Sequence, residues 1–373
     1  MALFSKAKTP IIGVDLGSGF VKMAQFNKVG NSLKLVDFGF LGIPDGAIVE
    51  GKIERINDIK EVLQNLLTYH AFIGNRVATN VSGKLVMVRE LIMDDLPPQE
   101  LDEAIKWEVT NILPASIDTF SYDYQVIGKV EEGENEKLHV LFAAAPMEAV
   151  QTIGELFKSL NLELVSIEVE AFSVLRLLRF LGEISKGGER LIAAINLGHN
   201  YTSINIVDRG LVRFSRTLPW GGKRLTDKIA YFYGISTEEA EKKKINELNF
   251  ADRNSQIFQS IQDDIREITL EIKRSISFYF SKYNDGKVMD TVIILEGGTA
   301  NAKGIDKLIE EETGYPTVVN RLFADVAQYD PNLFTKEYLL EMSPSFAIAT
   351  GLALKEQQIQ IKRKEKTKEK VRG

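Results

Sequence analysis

The chain contains no cysteine and only three histidines, His70, His139 and His199, which lie far apart. The lack of cysteine excludes disulfides, thiolate catalysis and cysteine-based zinc sites, and so few histidines disfavour a histidine-rich metal centre. No apolar run approaches the roughly 20 residues that a membrane-spanning helix needs. The first residues, MALFSKAKTP, also lack the apolar segment of a signal peptide. We therefore expect a cytoplasmic chain.

A strong net charge is also absent. The 373 residues carry a formal net charge of −6, which gives no reason to expect nucleic-acid binding. The length exceeds that of one ordinary core and predicts two or three domains. Only residues 355–373 differ from the rest of the chain in their charge, because they contain eight Lys or Arg against three Glu. We expect 359–373 to form a basic disordered tail, or to be weakly attracted to an anionic membrane surface.

Glycine is concentrated at the ends of three apolar strands. Residues 11–23, IIGVDLGSGFVKM, predict a strand that ends at Asp15 and a turn formed by Gly17, Ser18 and Gly19. Such residues are typical of a β-hairpin turn. Their backbone N–H groups could also hold a phosphate, while the Asp holds a metal ion or its water.

The same pattern recurs about 180 residues later, in LIAAINLGHNYTSINIVDRG, where Asn196 and Gly198 take the places of Asp15 and Gly17. Two similar hairpins indicate two related halves that could clamp one phosphate chain. His199 in the second turn either contacts a phosphate or is a solvated loop residue. A third strand, in VIILEGGTANAKG, ends in a double glycine before a helix, which allows close approach of a ligand.

With these three motifs the chain resembles the actin-like ATPase superfamily. Two further segments match its connecting helices, IEVEAFSVLRLL at 167–178 and PSFAIATGLAL at 344–354. The resemblance implies an α/β, two-lobed actin-like ATPase fold made of duplicated RNase H-like domains. It also implies that the hairpins bind ATP phosphates through Asp15, Gly17, Ser18, Gly19, Lys22, Gly198 and Thr202. By the same inference Asp15 holds Mg²⁺ through water.

The resemblance further implies an adenosine site at Gly297, Gly298 and Thr299. A capping signal at Ser236 predicts a helix that begins near residue 237. Glu241 and Lys244 are three residues apart and so share one face of this helix. In similar proteins such a pair contacts the ribose and adenine. The alternative is an ordinary solvated charged helix.

The segment LIMDDLPPQELDEAIKWEVTNILPASIDTFSYDYQVI, at 91–127, narrows the resemblance to the PilM family of type IV pilus assembly. The blocks at 221–244 and 344–354 agree with it. The resemblance implies an inserted subdomain like that of FtsA. The implied domains are subdomain 1A (9–80 with 151–190, closed by helix 344–358), inserted subdomain 1C (81–150), subdomain 2A (191–220 with 291–343) and subdomain 2B (221–290).

The resemblance implies a scaffold that binds ATP with Mg²⁺ and holds the N-terminal cytoplasmic peptide of a PilN-like inner-membrane partner. Trp107 and Glu108 are candidates for the partner groove, although Trp107 could equally pack a core. Links to pilus motor or platform components and an indirect, peripheral position at the inner membrane follow from the same inference. The alternative is an FtsA-like nucleotide-dependent filament or membrane-associated ATPase, and self-association stays open.

Asn196 departs from the Asp that hydrolysing relatives carry. An amide can still form hydrogen bonds, but it carries no charge to attract a metal or to take a proton from water. Glu170 is a candidate for orienting an attacking water, or else simply complements the helix dipole. Since phosphoryl transfer depends on positioning and charge stabilisation, we predict tight ATP binding with slow or absent hydrolysis.

Overall fold

The structure, a computed structural model, describes residues 9–30, 32–132, 135–184, 190–283, 289–321 and 327–356. The predicted basic tail at 359–373 therefore lies outside the described residues. The strands are β1 (Ile12–Leu16), β2 (Phe20–Val29), β3 (Ser32–Gly42), β4 (Ile48–Val49), β5 (Lys52–Ile53), β6 (Arg76–Val81), β7 (Met87–Asp94), β8 (Phe120–Glu132), β9 (Asn135–Pro146), β10 (Glu163–Val169), β11 (Leu191–Leu197), β12 (Thr202–Asp208), β13 (Leu211–Leu218), β14 (Thr291–Glu296), β15 (Thr317–Val319) and β16 (Ala327–Gln328).

The helices are α1 (Ile56–Tyr69), α2 (Pro98–Val109), α3 (Met147–Ser159), α4 (Glu170–Phe180), α5 (Gly222–Tyr233), α6 (Thr237–Glu247), α7 (Gln256–Tyr283), α8 (Ile305–Thr313), α9 (Lys336–Met342) and α10 (Ala347–Ala353). Short 3₁₀ helices cover Ile117–Thr119, Gly298–Asn301 and Ser343–Phe346. Helix α6 begins where the sequence predicts, because Ser236 and Glu239 form a reciprocal capping box. Within the described ranges, no helix has the length and apolar character needed to cross a membrane.

Two sheets share one topology, which confirms the predicted duplication. The first contains the order β3-β2-β1-β6-β10, with β16 added at the edge beside β3, and the second runs β13-β12-β11-β14-β15. In each, three antiparallel strands are followed by two parallel ones, and the predicted Gly-containing hairpins join the first two strands. Because equivalent strands carry the two hairpins, the hairpins lie at equivalent edges of the two lobes.

Helices α4 and α10 lie between the two sheets and share an apolar cluster with both. Their closest approach needs glycine. A Cβ placed on Gly351 of α10 would lie 2.1 Å from the backbone oxygen of Ser173, and one on Gly13 of β1 would lie 1.9 Å from the backbone oxygen of Ala349. The absence of a side chain at Gly351 therefore allows α4 and α10 to pack closely.

The three-stranded sheet β7-β9-β8 has two different faces. One face carries α2 and an apolar cluster that includes Leu101, Ile105 and Val109. The other face contributes Val88 and Leu141 to the cluster between the lobes. On this second face Glu90 pairs with Arg213 of β13 at 2.7 Å and with His139 at 3.0 Å. The inserted sheet is thus tied to the second lobe as well as to the first.

One predicted boundary is wrong. Strand β16, which fell within the segment 291–343 assigned to subdomain 2A, pairs with β3 of the first sheet. Leu339 of α9 packs in the first-lobe cluster with Phe38. The chain therefore returns to the first lobe before residue 343, because β3 offers a free edge and an apolar face there. Where a helix was predicted over 344–358, the described residues form a 3₁₀ turn (Ser343–Phe346) followed by α10, which ends at Ala353. The rest of the four-part division stays a prediction.

Candidate nucleotide site

The first hairpin presents a buried carboxylate. Asp15 is only 3% exposed, and its Oδ2 lies 3.0 Å from Lys22 Nζ, its cross-strand partner on β2. Its Oδ1 accepts a hydrogen bond of 3.3 Å from the Asn80 side chain, whose own oxygen accepts the N–H of Leu16 at 3.0 Å. Lys22, which was predicted to bind phosphate, therefore directs its charge at Asp15 itself. This arrangement fixes the carboxylate at the end of β1.

Backbone hydrogen bonds within the turn and from the start of α5 stabilise the second hairpin. Gly198 N–H donates to the Tyr201 backbone oxygen at 3.0 Å, and the Gly198 oxygen accepts the N–H of Gly222 at 2.9 Å. Thr202 is fully buried, and its hydroxyl donates to the Trp220 backbone oxygen at 2.8 Å. This geometry does not fit the predicted phosphate-binding role of Thr202. Its hydroxyl holds the β12 strand against the segment that leads into α5.

The two hairpins touch across the gap between the lobes. The Asn200 N–H donates to Ser18 Oγ at 3.3 Å. The His199 ring covers Gly19 so closely that a Cβ there would lie 2.4 Å from it. The ring also makes an edge contact with Phe20, with a centroid distance of 6.2 Å. His199 therefore forms part of the contact between the lobes, and burial lowers the pKa of its imidazole. It is not the solvated loop residue that the sequence allowed.

Glu170 lies at the start of α4 and faces the second hairpin. Its Oε1 accepts a 3.0 Å hydrogen bond from the Asn196 amide and a second bond from the Ser203 hydroxyl. Burial raises the pKa of Glu170, while these two donors act in the opposite direction. An amide at position 196 therefore serves as a donor that an Asp could not supply. The structure brings both predicted catalytic positions into one hydrogen-bonded group.

Helices α5 and α6 meet at a partly buried ion pair, in which the Lys244 side chain is 13% and the Glu241 side chain 42% exposed. Lys244 Nζ lies 2.7 Å from Glu241 Oε2 and 2.7 Å from Thr226 Oγ1, and it donates to the Gly222 oxygen at 3.1 Å. Burial lowers the pKa of Lys244. Burial also acts to raise the pKa of Glu241, but Lys244 and Thr226 outweigh it and the net shift is downward. Lys244 is therefore largely withdrawn from solvent, unlike a residue of an ordinary solvated helix, whereas Glu241 stays partly exposed.

The double-glycine turn lies against the same region. A Cβ on Gly222 would lie 2.5 Å from Thr299 Oγ1 and 3.5 Å from Lys244 Nζ. Gly297 has φ +86°, and a Cβ there would lie 2.4 Å from the Leu197 oxygen, so the turn requires glycine. A Cβ placed on Gly298 would lie 3.7 Å from Ser345 Oγ, which is an ordinary contact. Of the predicted adenosine residues, Thr299 and Lys244 thus lie beside Gly222, whereas Gly297 packs against Leu197 and Asn196.

Comparison with known proteins identifies the family. The sequence profile described as type IV pilus assembly protein PilM matches residues 13–357. The chain belongs to the PilM family. In structure it is similar to the PilM of a PilM–PilN type IV pilus biogenesis complex, with a TM-score of 0.79 and 26% sequence identity. That match covers 93% of this chain and 98% of the other.

More distant relatives share the fold of this PilM family member. The cell division protein FtsA of Bacillus subtilis is 21% identical over 371 residues, covering 91% of this chain and 82% of FtsA. The ethanolamine utilization protein EutJ of Carboxydothermus hydrogenoformans has a TM-score of 0.54 at 16% identity, covering 93% of this chain and 90% of EutJ. The actin-like, two-lobed fold that the sequence motifs imply is therefore confirmed.

Several residues of the site were not singled out from the sequence. They share one property, since each is a polar or small residue that partners a predicted one: Asn80, Ser203, Gly222 and Thr226. For Ser203 a signal was present, because polar residues alternate with apolar ones in the buried strand TSINIVD. The others become apparent only when separate elements pack together. In the inserted subdomain, Trp107 is 75% exposed, which excludes the core role left open for it.

Proposed function

We propose that the chain is an ATP-binding scaffold of the type IV pilus inner-membrane platform, with slow or absent hydrolysis. The observation that carries this is the convergence of two glycine hairpins, one from each lobe, beside the partly buried Lys244–Glu241 pair. A buried lysine, hydroxyls and glycine backbone provide donors suited to a polyanion with a sugar. The family and the PilM–PilN similarity give the pilus context.

The donor set fits ATP better than a metal held by protein alone. Across the described residues, no three His, Asp or Glu side chains come together as a metal-binding group. Mg²⁺ needs only one or two carboxylates when nucleotide phosphates supply the remaining ligands. Asp15 would hold the ion through water, Ser18 and the turn glycines would face the phosphates, and Lys244 with Glu241 would contact the ribose and base. Mg²⁺ would neutralise phosphate charge there.

Slow hydrolysis follows from the surroundings of Glu170. A carboxylate that orients an attacking water needs a lone pair directed at that water. In this chain Asn196 and Ser203 both donate to one oxygen of Glu170 and fix its orientation. No charged group replaces the Asp that position 196 lacks. We therefore infer that nucleotide is held for longer than it is consumed.

The most direct test is the nucleotide content of the freshly purified protein. The protein is denatured, and the released nucleotide is separated and quantified. We expect intact ATP at about one per chain, which is the stoichiometry of a single tight site. Mostly ADP would show that the site hydrolyses ATP despite Asn196 and would favour an enzyme. A chain that neither releases nucleotide nor binds added Mg·ATP would contradict the proposal.

Replacement of Lys244 by methionine is expected to weaken ATP binding at least tenfold. The change removes the buried positive charge beside Gly222 and Thr299, and a charge-assisted hydrogen bond contributes about 1.5–3 kcal/mol. Equilibrium binding of Mg·ATP measures the effect. The matched control is Lys242→Met, which alters an exposed lysine on the same helix. If both variants lost the same affinity for Mg·ATP, Lys244 would have no specific role in the proposed nucleotide site.

The partner surface is proposed on the inserted subdomain. Trp107 stands exposed on α2, on the side of the inserted sheet away from the lobes, with Glu108 half-buried beside it. An exposed tryptophan is the residue type that most often anchors a protein interface. We propose that it contributes to a groove for the N-terminal cytoplasmic peptide of a PilN-like protein. Peripheral association with the inner membrane would follow from that contact.

Trp107→Ala is expected to weaken binding of a synthetic PilN N-terminal peptide by about thirtyfold, as for an interface hot spot of about 2 kcal/mol. The melting temperature should stay unchanged, because the ring lies outside the core of the subdomain. Tyr69→Ala, which removes an exposed ring from α1 of the first lobe, is the control. Unaltered peptide affinity in the Trp107 variant would place the groove elsewhere.

Self-association and contact with motor or platform components also stay predictions. Because the chain is similar to FtsA, the alternative of a nucleotide-dependent filament also needs a test. Light scattering against protein concentration, with and without Mg·ATP, separates the two functions. A rise in scattering per unit of protein concentration when Mg·ATP is added would favour the filament. If the scattering per unit of concentration stays constant, the scaffold is favoured.

A further inference from the structure

Glu296, the last residue of β14, is a buried carboxylate that none of the roles above uses. Its side chain is 1% exposed. Oε1 accepts a hydrogen bond of 3.1 Å from the Asn320 amide, whereas Oε2 is fully buried and has no hydrogen-bond partner among the described residues. Asp15, by contrast, has a lysine within 3.0 Å. Buried charges without a partner are costly, so an ordinary ionised state is disfavoured here.

The groups around Glu296 provide no positive charge. In the parallel register it lies beside Asn196 of β11, whose amide already donates to Glu170. The 3₁₀ helices Gly298–Asn301 and Ser343–Phe346, which pack against this strand end, contain no ionisable residue. On its other side Glu296 meets the amide of Asn320, which follows β15. The charged group that acts on it is Glu170 of α4, which is itself an acid.

These surroundings favour a proton on Glu296. Burial and, to a smaller extent, the nearby Glu170 raise the pKa of Glu296 to about 8, although the Asn320 hydrogen bond acts in the opposite direction. The neutral acid therefore predominates below about pH 8. In that form Oε2 carries a hydrogen, and the space between the lobes has one negative charge fewer.

Glu296 is rigidly coupled to the candidate nucleotide site. It immediately precedes Gly297, whose backbone lies against Leu197 and the Asn196 side chain so closely that no Cβ fits. The Gly297 N–H donates to the Pro344 oxygen at 2.7 Å, which holds the turn from the other side. A charge that appears on Glu296 therefore cannot move away from the cleft without disturbing this turn.

We propose that Glu296 binds a proton in the folded chain and that nucleotide binds more tightly to this neutral form. The inference rests on the proposed nucleotide site. A polyphosphate brings several negative charges next to Glu170 and so favours the neutral acid further. By linkage, the proton must favour the nucleotide to the same degree. Ionisation of Glu296 then weakens nucleotide binding, and binding at alkaline pH is accompanied by proton uptake.

The experiment is isothermal titration of the nucleotide-depleted full chain with Mg·ATP, from about pH 7 to about pH 9.5, in buffers of different ionisation enthalpy. We expect the wild-type affinity to fall about tenfold across this range, within the usual span of coupling between sites. Proton uptake should be largest at a pH between the pKa of Glu296 in the free chain and its higher pKa in the nucleotide-bound chain, and it should decline towards both ends of the range. Glu296→Gln should bind with a nearly pH-independent affinity and without the additional proton uptake. Asp290→Asn, which removes an exposed acid just before β14 begins, should behave like the wild type.

Thermal unfolding without nucleotide gives a second measurement. The folded pKa of about 8 lies above the ordinary 4.5, so stability is lost as the pH rises between these values. Glu296→Gln should therefore gain melting temperature over the wild type across this interval. Nucleotide binding whose pH dependence survives in Glu296→Gln would overturn this inference alone. If ATP bound at no pH, both this inference and the proposed function would fail, while the unfolding profile would still report the proton.

Discussion

Gly351→Ala is expected to lower the free energy of unfolding by about 2–3 kcal/mol, although alanine is the better helix former. Helix propensity alone would favour the change by about 1 kcal/mol. The new Cβ would lie 2.1 Å from the Ser173 backbone oxygen, and neither helix can yield without shifting against a sheet. Because α4 and α10 pack between the two lobes, the loss of stability should affect the whole protein and not one lobe alone. Denaturant unfolding measures it.

The chain offers a close control for this prediction. Gly154 also lies inside a helix, α3, but a Cβ there would meet nothing within 4 Å. Gly154→Ala should stabilise the protein by up to about 1 kcal/mol. The two alanines should therefore act with opposite signs. A stabilised Gly351→Ala variant would show that the lobes can separate at this joint without cost.

The fold was predictable because its signals are local. Strands β1 and β11 are continuous apolar runs that end in Gly-containing turns, and the 28-residue helix α7 repeats isoleucine at helical spacing. These patterns depend only on neighbouring residues. The return of β16 to the first sheet was not predictable, because two residues carry no periodicity. That pairing depends on an edge of β3 that only the folded lobe presents.

The sequence predicted which residues belong to the candidate site better than it predicted what each of them does. The sequence placed Asp15, Glu170, Asn196 and Lys244 in motifs, but it could not show which charges neutralise one another. Lys22 pairs with Asp15, and Lys244 pairs with Glu241 across one helical turn. Glu296 has the same chemical type as Glu170 and a different environment. Ionisation depends on burial and on partners from distant elements, which a single sequence does not contain.

Asn196→Asp is expected to raise Mg²⁺-dependent ATP turnover at least tenfold while destabilising the metal-free protein. The amide that donates to Glu170 at 3.0 Å would become a second acceptor, so two carboxylates would face each other. One of them must then take a proton or lie near a cation. Without Mg²⁺ we expect a loss of roughly 2 kcal/mol at neutral pH, the cost of an unpaired buried polar group. Chemical unfolding and phosphate release measure the two effects.

Comparison of three variants separates charge from hydrogen bonding. Asn196→Ala removes the donor and adds no charge, so it should lose stability without gaining turnover. The instability of Asn196→Asp should diminish as the pH falls, because the new pair shares a proton with a raised pKa, whereas that of Asn196→Ala should not. With Mg·ATP bound, the extra carboxylate of the aspartate variant would face the ion. If turnover then stays at the wild-type level, Asn196 does not limit hydrolysis. The remaining cause is the hydrogen bond from Ser203, which fixes the orientation of Glu170. Ser203→Ala tests that cause.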